Sequence, residues 1–150
     1  MAPMTQLDGA VLLPDGTPVR GRGRRDPLPG GPRPAFSLCL GRPGHDDEPE
    51  WAAAWIDWPD FRVPRDRAGA TAAIVDAYER ARSGVLVEVS CTGGTGRTGT
   101  VLACMAVLAG HPAADAVAWT RAHYRPRAVE TPWQRRWVRG FAERTVQRRL

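Results

Sequence analysis

Cys91 and Arg97 stand six positions apart around Thr92-Gly93-Gly94-Thr95-Gly96, a turn of small residues that follows the apolar run Val85–Ser90. A second apolar run begins at about Thr98 and reads as a helix to Ala109. A glycine-rich turn opening a helix can aim successive backbone N–H groups at one point and so form a nest for an oxyanion. The nest and the helix dipole together favour the thiolate of Cys91 over its thiol. Arg97 can hold two phosphate oxygens in a planar fork while the sulfur attacks phosphorus in line. On this reading Thr92, Gly93, Gly94, Thr95, Gly96 and Arg97 bind the phosphate, and the chemistry they permit is phosphoryl transfer to sulfur.

The pattern Cys-x-x-Gly-x-x-Arg-Thr, filled by Cys91, Gly94, Arg97 and Thr98, resembles the signature of the protein tyrosine phosphatase superfamily. Upstream, Trp58-Pro59-Asp60-Phe61-Arg62-Val63-Pro64 is similar to the mobile acid-bearing loop of the tyrosine-specific members, with Arg62 where glycine is usual. The two motifs come in the family's order. Ser90 stands where the family usually has histidine before the cysteine. A weaker likeness lies at Glu130-Thr131-Pro132-Trp133-Gln134, similar to a Glu-Thr-x-x-Gln segment of small archaeal and dual-specificity phosphatases.

The resemblance implies a two-step mechanism. Cys91 attacks the phosphate ester and Asp60 protonates the leaving phenolate. Asp60 then acts as base on the water that hydrolyses the cysteinyl phosphate, while the Thr98 hydroxyl stabilises the departing thiolate. Gln134 would help place that water. Thr131 and Gln134 are equally a capping box with Pro132 at the first helical position, and both readings stand. The implied partner is a phosphotyrosine-bearing protein, with no cofactor and no metal; the Trp-Pro-Asp loop favours aryl phosphates, and phosphoserine and phosphoinositide esters stay open as alternatives. The chain is compact, so it resembles a bacterial, archaeal or dual-specificity member that carries the acid loop of the larger ones.

Other classes compete for the same glycines. Gly94-Thr95-Gly96-Arg97-Thr98-Gly99 is formally the dinucleotide fingerprint, which requires a further strand soon after the helix. A nucleotide-binding loop with lysine is excluded, because all 21 basic residues are arginine. The low-molecular-weight phosphatases carry the cysteine motif first and the acid far downstream, the reverse of the order here. A catalytically silent module that binds phosphopeptide is the remaining alternative, motivated by Ser90 and Arg62.

These side chains need a scaffold, and 150 residues suit one domain with a real core. The arginines are spread along the chain rather than clustered with aromatics, so no nucleic-acid partner is expected. Cys39, Cys91 and Cys104, with His45, His111 and His123, give no metal-ligand spacing. No charged-then-apolar leader and no membrane-length apolar run is present, so a cytoplasmic monomer is expected.

In chain order, Gly9–Arg20 reads as a hairpin about Pro14-Asp15-Gly16. A Pro-, Gly- and Arg-rich stretch to Pro34 follows, either a solvated connection or a basic rim facing substrate. Strands are expected at Ala35–Leu40, Ala52–Asp57 and Val85–Ser90, the last central in the sheet. The acidic run Asp46–Glu50 reads as a solvated loop. Helices are expected at about Asp66–Arg82, Thr98–Ala109, Pro112–His123 and from Thr131, with Trp133, Trp137, Val138 and Phe141 sharing a face. The expected fold is a single α/β domain of phosphatase type, a small mixed sheet with helices on both sides. Cys104 reads as core filling. Cys39 reads as a core residue or, if its strand lies beside Val85–Ser90, as a redox partner for Cys91.

Overall fold

The computed structural model describes residues 6–45 and 48–149; Asp46 and Asp47 of the expected acidic loop lie outside them. Five strands form one mixed sheet: β1 (Val11–Leu12), β2 (Pro18–Gly23), β3 (Phe36–Gly41), β4 (Ala53–Asp57) and β5 (Val87–Cys91). Their order across the sheet is β1-β2-β5-β3-β4, so the strand that delivers Cys91 is the central one. β1 and β2 run antiparallel, and every other pair is parallel. The hairpin turns on Gly16, whose φ of +87° suits glycine, and the Asp15 carboxylate accepts from the Thr17 amide at 3.0 Å.

The helices are α1 (Arg67–Arg82), α2 (Gly96–Leu108), α3 (Ala116–His123) and α4 (Pro132–Arg149), with a short 3₁₀ turn at Ala113–Asp115. Asp66 starts α1 by accepting the Gly69 amide at 3.0 Å, an N-cap in the ordinary manner. Every residue of α2 except Val107 is buried, and the helix is packed by α1, α3 and α4 as well as by the sheet.

The α/β class and the small mixed sheet agree with expectation, but the helices do not flank both sides. α1 and α2 touch each other and pack on the same sheet face, with α3 and α4 beyond them. Alternation along the strands explains this. Val19, Phe36, Leu38, Leu40, Ile56, Val87 and Val89 point to the helices and join the core with Ile74, Tyr78, Leu102 and Met105. Each such side chain, fully buried, contributes roughly 1.5–3 kcal/mol.

The intervening residues Arg20, Ser37, Cys39, Glu88 and Ser90 make a second face that is polar and still buried. Glu88 holds it together by accepting from Arg20 Nε at 2.7 Å and from Arg22 Nε and Nη2 at 2.9 and 3.0 Å. Trp51 donates to Ser37 Oγ at 2.7 Å, and Arg24 lies over the Trp55 ring. Loop side chains cover this face in place of a helix.

Candidate active site

Cys91 ends β5 and is 2% exposed, and residues 92–95 curl from it into the first turn of α2. The sulfur accepts the Gly94 amide at 3.1 Å and the Thr98 hydroxyl at 3.0 Å. Both donors are aimed at the one sulfur that would attack phosphorus. Thr95 caps α2 without a side-chain hydrogen bond, which leaves the first amides of the helix for another acceptor. The turn closes because Gly94 takes φ +77° and lies against the backbone of Gly23.

Arg97 is 4% exposed and reaches across to the acid loop. Its Nη1 donates to the Trp58 carbonyl at 3.0 Å, and its Nε stands 3.4 Å from Asp60 Oδ1. That Nε has no hydrogen-bond partner, a buried donor left for a ligand oxygen. Asp60 itself is 56% exposed at its side chain, open to substrate. Its Oδ1 also accepts the Phe61 amide at 3.0 Å, and Phe61 takes the left-handed φ of +61°, strained for an aromatic residue. The glycine that the related loops carry one position later is therefore not what bends this one.

The loop is fastened from below. Trp58 is wholly buried and packs against Trp137, while its Nε1 donates to the Arg62 carbonyl at 2.6 Å. Gln134 Nε2 donates to the same carbonyl at 3.1 Å, and its Oε1 accepts the amides of Glu130 and Thr131 at 2.9 and 3.3 Å. With the Gln134 amide also donating to Thr131 Oγ1 at 3.2 Å, the capping box is complete. Gln134 is wholly buried and lines neither cavity described below. Its polar atoms are spent on the acid loop and the helix start, so the water-placing position that the resemblance implies is not where it lies. Trp133, expected with the apolar face of α4, is instead 46% exposed and donates to the Phe61 carbonyl.

Several supports carry no sequence signal of their own. The chain beyond β2 clasps the cysteine loop, since the amides of Arg24 and Arg25 donate to the carbonyls of Cys91 and Thr92 at 2.9 and 3.2 Å. Arg24 also donates to the Ser90 carbonyl and hydroxyl at 3.0 and 3.2 Å and to the Leu40 carbonyl at 2.9 Å. A serine hydroxyl plus this guanidinium thus ties down the residue before the cysteine. From the far side, Tyr124 donates to the Gly94 carbonyl at 2.5 Å, and burial pushes its phenol well above the usual range. Arg125 donates to the Gly93 carbonyl at 2.9 Å and to Thr95 Oγ1 at 3.2 Å. Val129, left-handed at φ +65°, precedes Glu130, whose carboxylate lies against Gly96. Arg121 holds the strained segment by donating to the carbonyls of Ala128 and Val129 at 2.8 and 2.7 Å.

Two cavities meet here. A small one of about 180 Å³ is lined by Cys91, Thr92, Gly93, Thr95 and Gly96 with Arg25, Asp60, Phe61 and Glu130. A larger one of about 700 Å³ adjoins it and contains Arg97, Trp58 and Pro59. Cys91, Arg97, Asp60 and Thr98 therefore converge, with the loop residues 92–96 around them.

Cys39 does not join them. It pairs in register with Ser90, so it lies on the polar face while Cys91 points to the helices, and the two thiols face apart. Burial raises the Cys39 thiol, and its neighbours are Ser90 and Arg24. Cys104 is wholly buried in α2, and burial pushes its thiol up strongly. The dinucleotide reading fails on topology, since no strand follows α2 among the described residues. Nor, among those residues, do three or more His, Cys, Asp and Glu side chains gather as a metal would require.

Residues 60–148 match the family model described as the Swiss Army Knife protein, DSP-PTPase phosphatase domain. The fold is similar to the crystal structure of Tk-PTP in its active form, at 25% identity over 74% of this chain and 80% of that one, with a TM-score of 0.65. It is similar also to human DUSP28, at 16% identity over 94% and 99% of the two chains, with a TM-score of 0.66. PTPMT1 in complex with PI(5)P aligns at 14% identity over 77% of this chain and 80% of that one, TM-score 0.59.

Proposed function

Because the chain belongs to the DSP-PTPase family and is on that ground a phosphatase, we propose that it hydrolyses phosphotyrosine in proteins through a cysteinyl-phosphate intermediate. Phosphoproteins are the substrates that the family implies in general, and the finer choice rests on the site. The observation that carries it is Arg97, which touches the Trp58 carbonyl and the Asp60 carboxylate from the rim of the cysteine nest. The nucleophile thereby lines the small cavity, the phosphate-holding cation the adjoining larger one, and the acid both.

In the first step the Cys91 thiolate attacks phosphorus. The loop amides and Arg97 take the equatorial oxygens, and Asp60 gives a proton to the departing phenolate. In the second step Asp60 takes a proton from water, which attacks the cysteinyl phosphate, and the sulfur leaves into the hydrogen bond from Thr98. Phe61, 53% exposed on the wall of the small cavity, offers a ring surface to an aryl ester. A silent binding module has no use for a hydroxyl donating to the sulfur or for a carboxylate beside the arginine, so the geometry favours turnover. A reducing cytoplasm suits the free thiol.

The test is hydrolysis of p-nitrophenyl phosphate and a phosphopeptide panel with EDTA present. Turnover of the aryl phosphate and of phosphotyrosine peptides ahead of phosphoserine is the expected outcome. Failure on every ester, or strict dependence on added metal, would overturn the proposal.

A further inference from the structure

The cysteine nest binds an oxyanion only if its amides face inward, and glycines do not fix that by themselves, since their peptide units turn at little cost. A peptide unit is planar and trans, so a carbonyl held away from the cavity aims the next residue's N–H into it. Four successive loop carbonyls are held from outside. Cys91 and Thr92 offer theirs to the amides of Arg24 and Arg25, Gly93 to Arg125 Nη1 at 2.9 Å, and Gly94 to the Tyr124 hydroxyl at 2.5 Å. The third grip shows its effect directly, because the Gly94 amide meets the Cys91 sulfur at 3.1 Å. The fourth governs the peptide unit between Gly94 and Thr95, and Thr95 lines the small cavity.

We propose that Tyr124 is a positioning residue for phosphoryl transfer: its hydroxyl turns the peptide between Gly94 and Thr95 so that the Thr95 N–H faces the transferred phosphate. This deepens the phosphatase reading above and rests on it. The ring is placed for that contact. Tyr124 follows α3 directly, and Gly21 on β2 has no side chain where the ring lies; a Cβ there would stand 2.7 Å from its Cε1 and Cζ atoms. The Arg125 guanidinium covers the ring, 5.2 Å from its centroid. Burial holds the phenol well above its usual range, so it stays a donor across the working pH. Without the hydroxyl, the Gly94 carbonyl regains the freedom of its glycine and can turn its oxygen towards the phosphate, which repels it. Tyr124 lines neither cavity, so it acts through the loop and not on the substrate.

The test substitution is Tyr124→Phe, which keeps the ring and removes the hydroxyl. Vanadate affinity by calorimetry, kcat/KM on phenyl and p-nitrophenyl phosphates, and thermal melts are compared with the parent. Loss of one donor to an oxyanion should weaken vanadate binding about 10- to 100-fold and lower kcat/KM by a similar factor. The loss should be equal on the two esters, because the acid on Asp60 is untouched. Gly21→Ala keeps the hydroxyl but drives the ring from its slot, so it should fall in the same way; it carries the test if Tyr124→Phe does not fold. Parent-like vanadate affinity in a folded variant, whatever its melting temperature, would overturn the inference. A loss confined to phenyl phosphate would also overturn it, since that places the effect on the acid loop. A parent that binds vanadate but turns over no ester would instead remove the phosphatase reading, and the vanadate comparison would still decide the role of Tyr124.

Discussion

One methyl group added at Gly94 should break the site, and the same group added at Gly93 should not. At φ +77° an L-residue pays about 1–2 kcal/mol for the left-handed backbone alone. The new Cβ would also lie 2.7 Å from Gly23 Cα and 2.8 Å from the Arg22 carbonyl carbon, and closer still to the Gly23 amide nitrogen. These atoms are all backbone, so no rotamer change relieves them, and overpacking adds about 1–3 kcal/mol. The cheaper response is for the loop to move off β2, carrying the Gly94 amide away from the sulfur it now meets at 3.1 Å. Loss of one preorganised donor typically costs about 10²–10³ in kcat. A Cβ at Gly93 meets nothing within 4 Å, and its φ is not left-handed. Steady-state kinetics on p-nitrophenyl phosphate with thermal melts should show Gly94→Ala down at least about 100-fold in kcat/KM. Gly93→Ala should stay within about threefold, since the added Cβ meets no protein atom within 4 Å and leaves the loop backbone where it is. Equal losses in the two variants, or a Gly94→Ala enzyme close to the parent, would refute the account of the nest.

Three further outcomes test other parts of the account. Asp60→Asn should lower kcat by about 10²–10⁴ on phenyl phosphates and far less on esters whose leaving group needs no proton; equal losses on both would mark Asp60 as structural. Gln134→Leu strips the Glu130 and Thr131 amides of their partner and leaves the Arg62 carbonyl only the Trp58 indole, so it should destabilise by about 1–3 kcal/mol and slow the acid-dependent first step. If the variant instead accumulates phosphoenzyme, Gln134 places the hydrolytic water after all. Glu88→Gln leaves the buried Arg20 and the partly buried Arg22 without their counter-ion and should cost about 3–5 kcal/mol in chemical denaturation, and a change under 1 kcal/mol would contradict the packing described for the polar face.

What the sequence made legible was local. Cys91, Arg97 and Thr98 lie on one turn and one helix start, so their spacing alone dictates that they converge. Asp60 sits on a loop that directly follows a strand, and parallel pairing of β3 with β4 and β5 brings that strand's end to the same edge of the sheet as the end of β5, one strand away. Arg24, Arg25, Tyr124, Arg125 and Glu130 come from segments that meet the cysteine loop only after folding, and a proline- and arginine-rich stretch carries no periodicity to announce them. The basic rim was legible as an alternative, yet its arginines divide among roles. Arg20 and Arg22 pair with Glu88, Arg24 braces Ser90, Arg25 faces the cavities and Arg33 pairs with Glu50 on the surface.

The helix placement and the fate of Cys39 both follow from a period of two. Val87-Glu88-Val89-Ser90 and Phe36-Ser37-Leu38-Cys39 each alternate, which gives one apolar face for helices and one polar face without them. Once Cys39 pairs with Ser90, alternation puts it on the side away from Cys91.

The central claim is that Cys91 carries the phosphoryl group during turnover. Acid quench of the enzyme within its first turnovers of a radiolabelled phosphotyrosine peptide, followed by peptide mapping, measures this directly. The account predicts label on the peptide containing Cys91, at a stoichiometry approaching one per active site, and none on a Cys91→Ser protein that still binds vanadate. Label on another residue, product formation with no labelled protein at any time, or turnover by Cys91→Ser would contradict it.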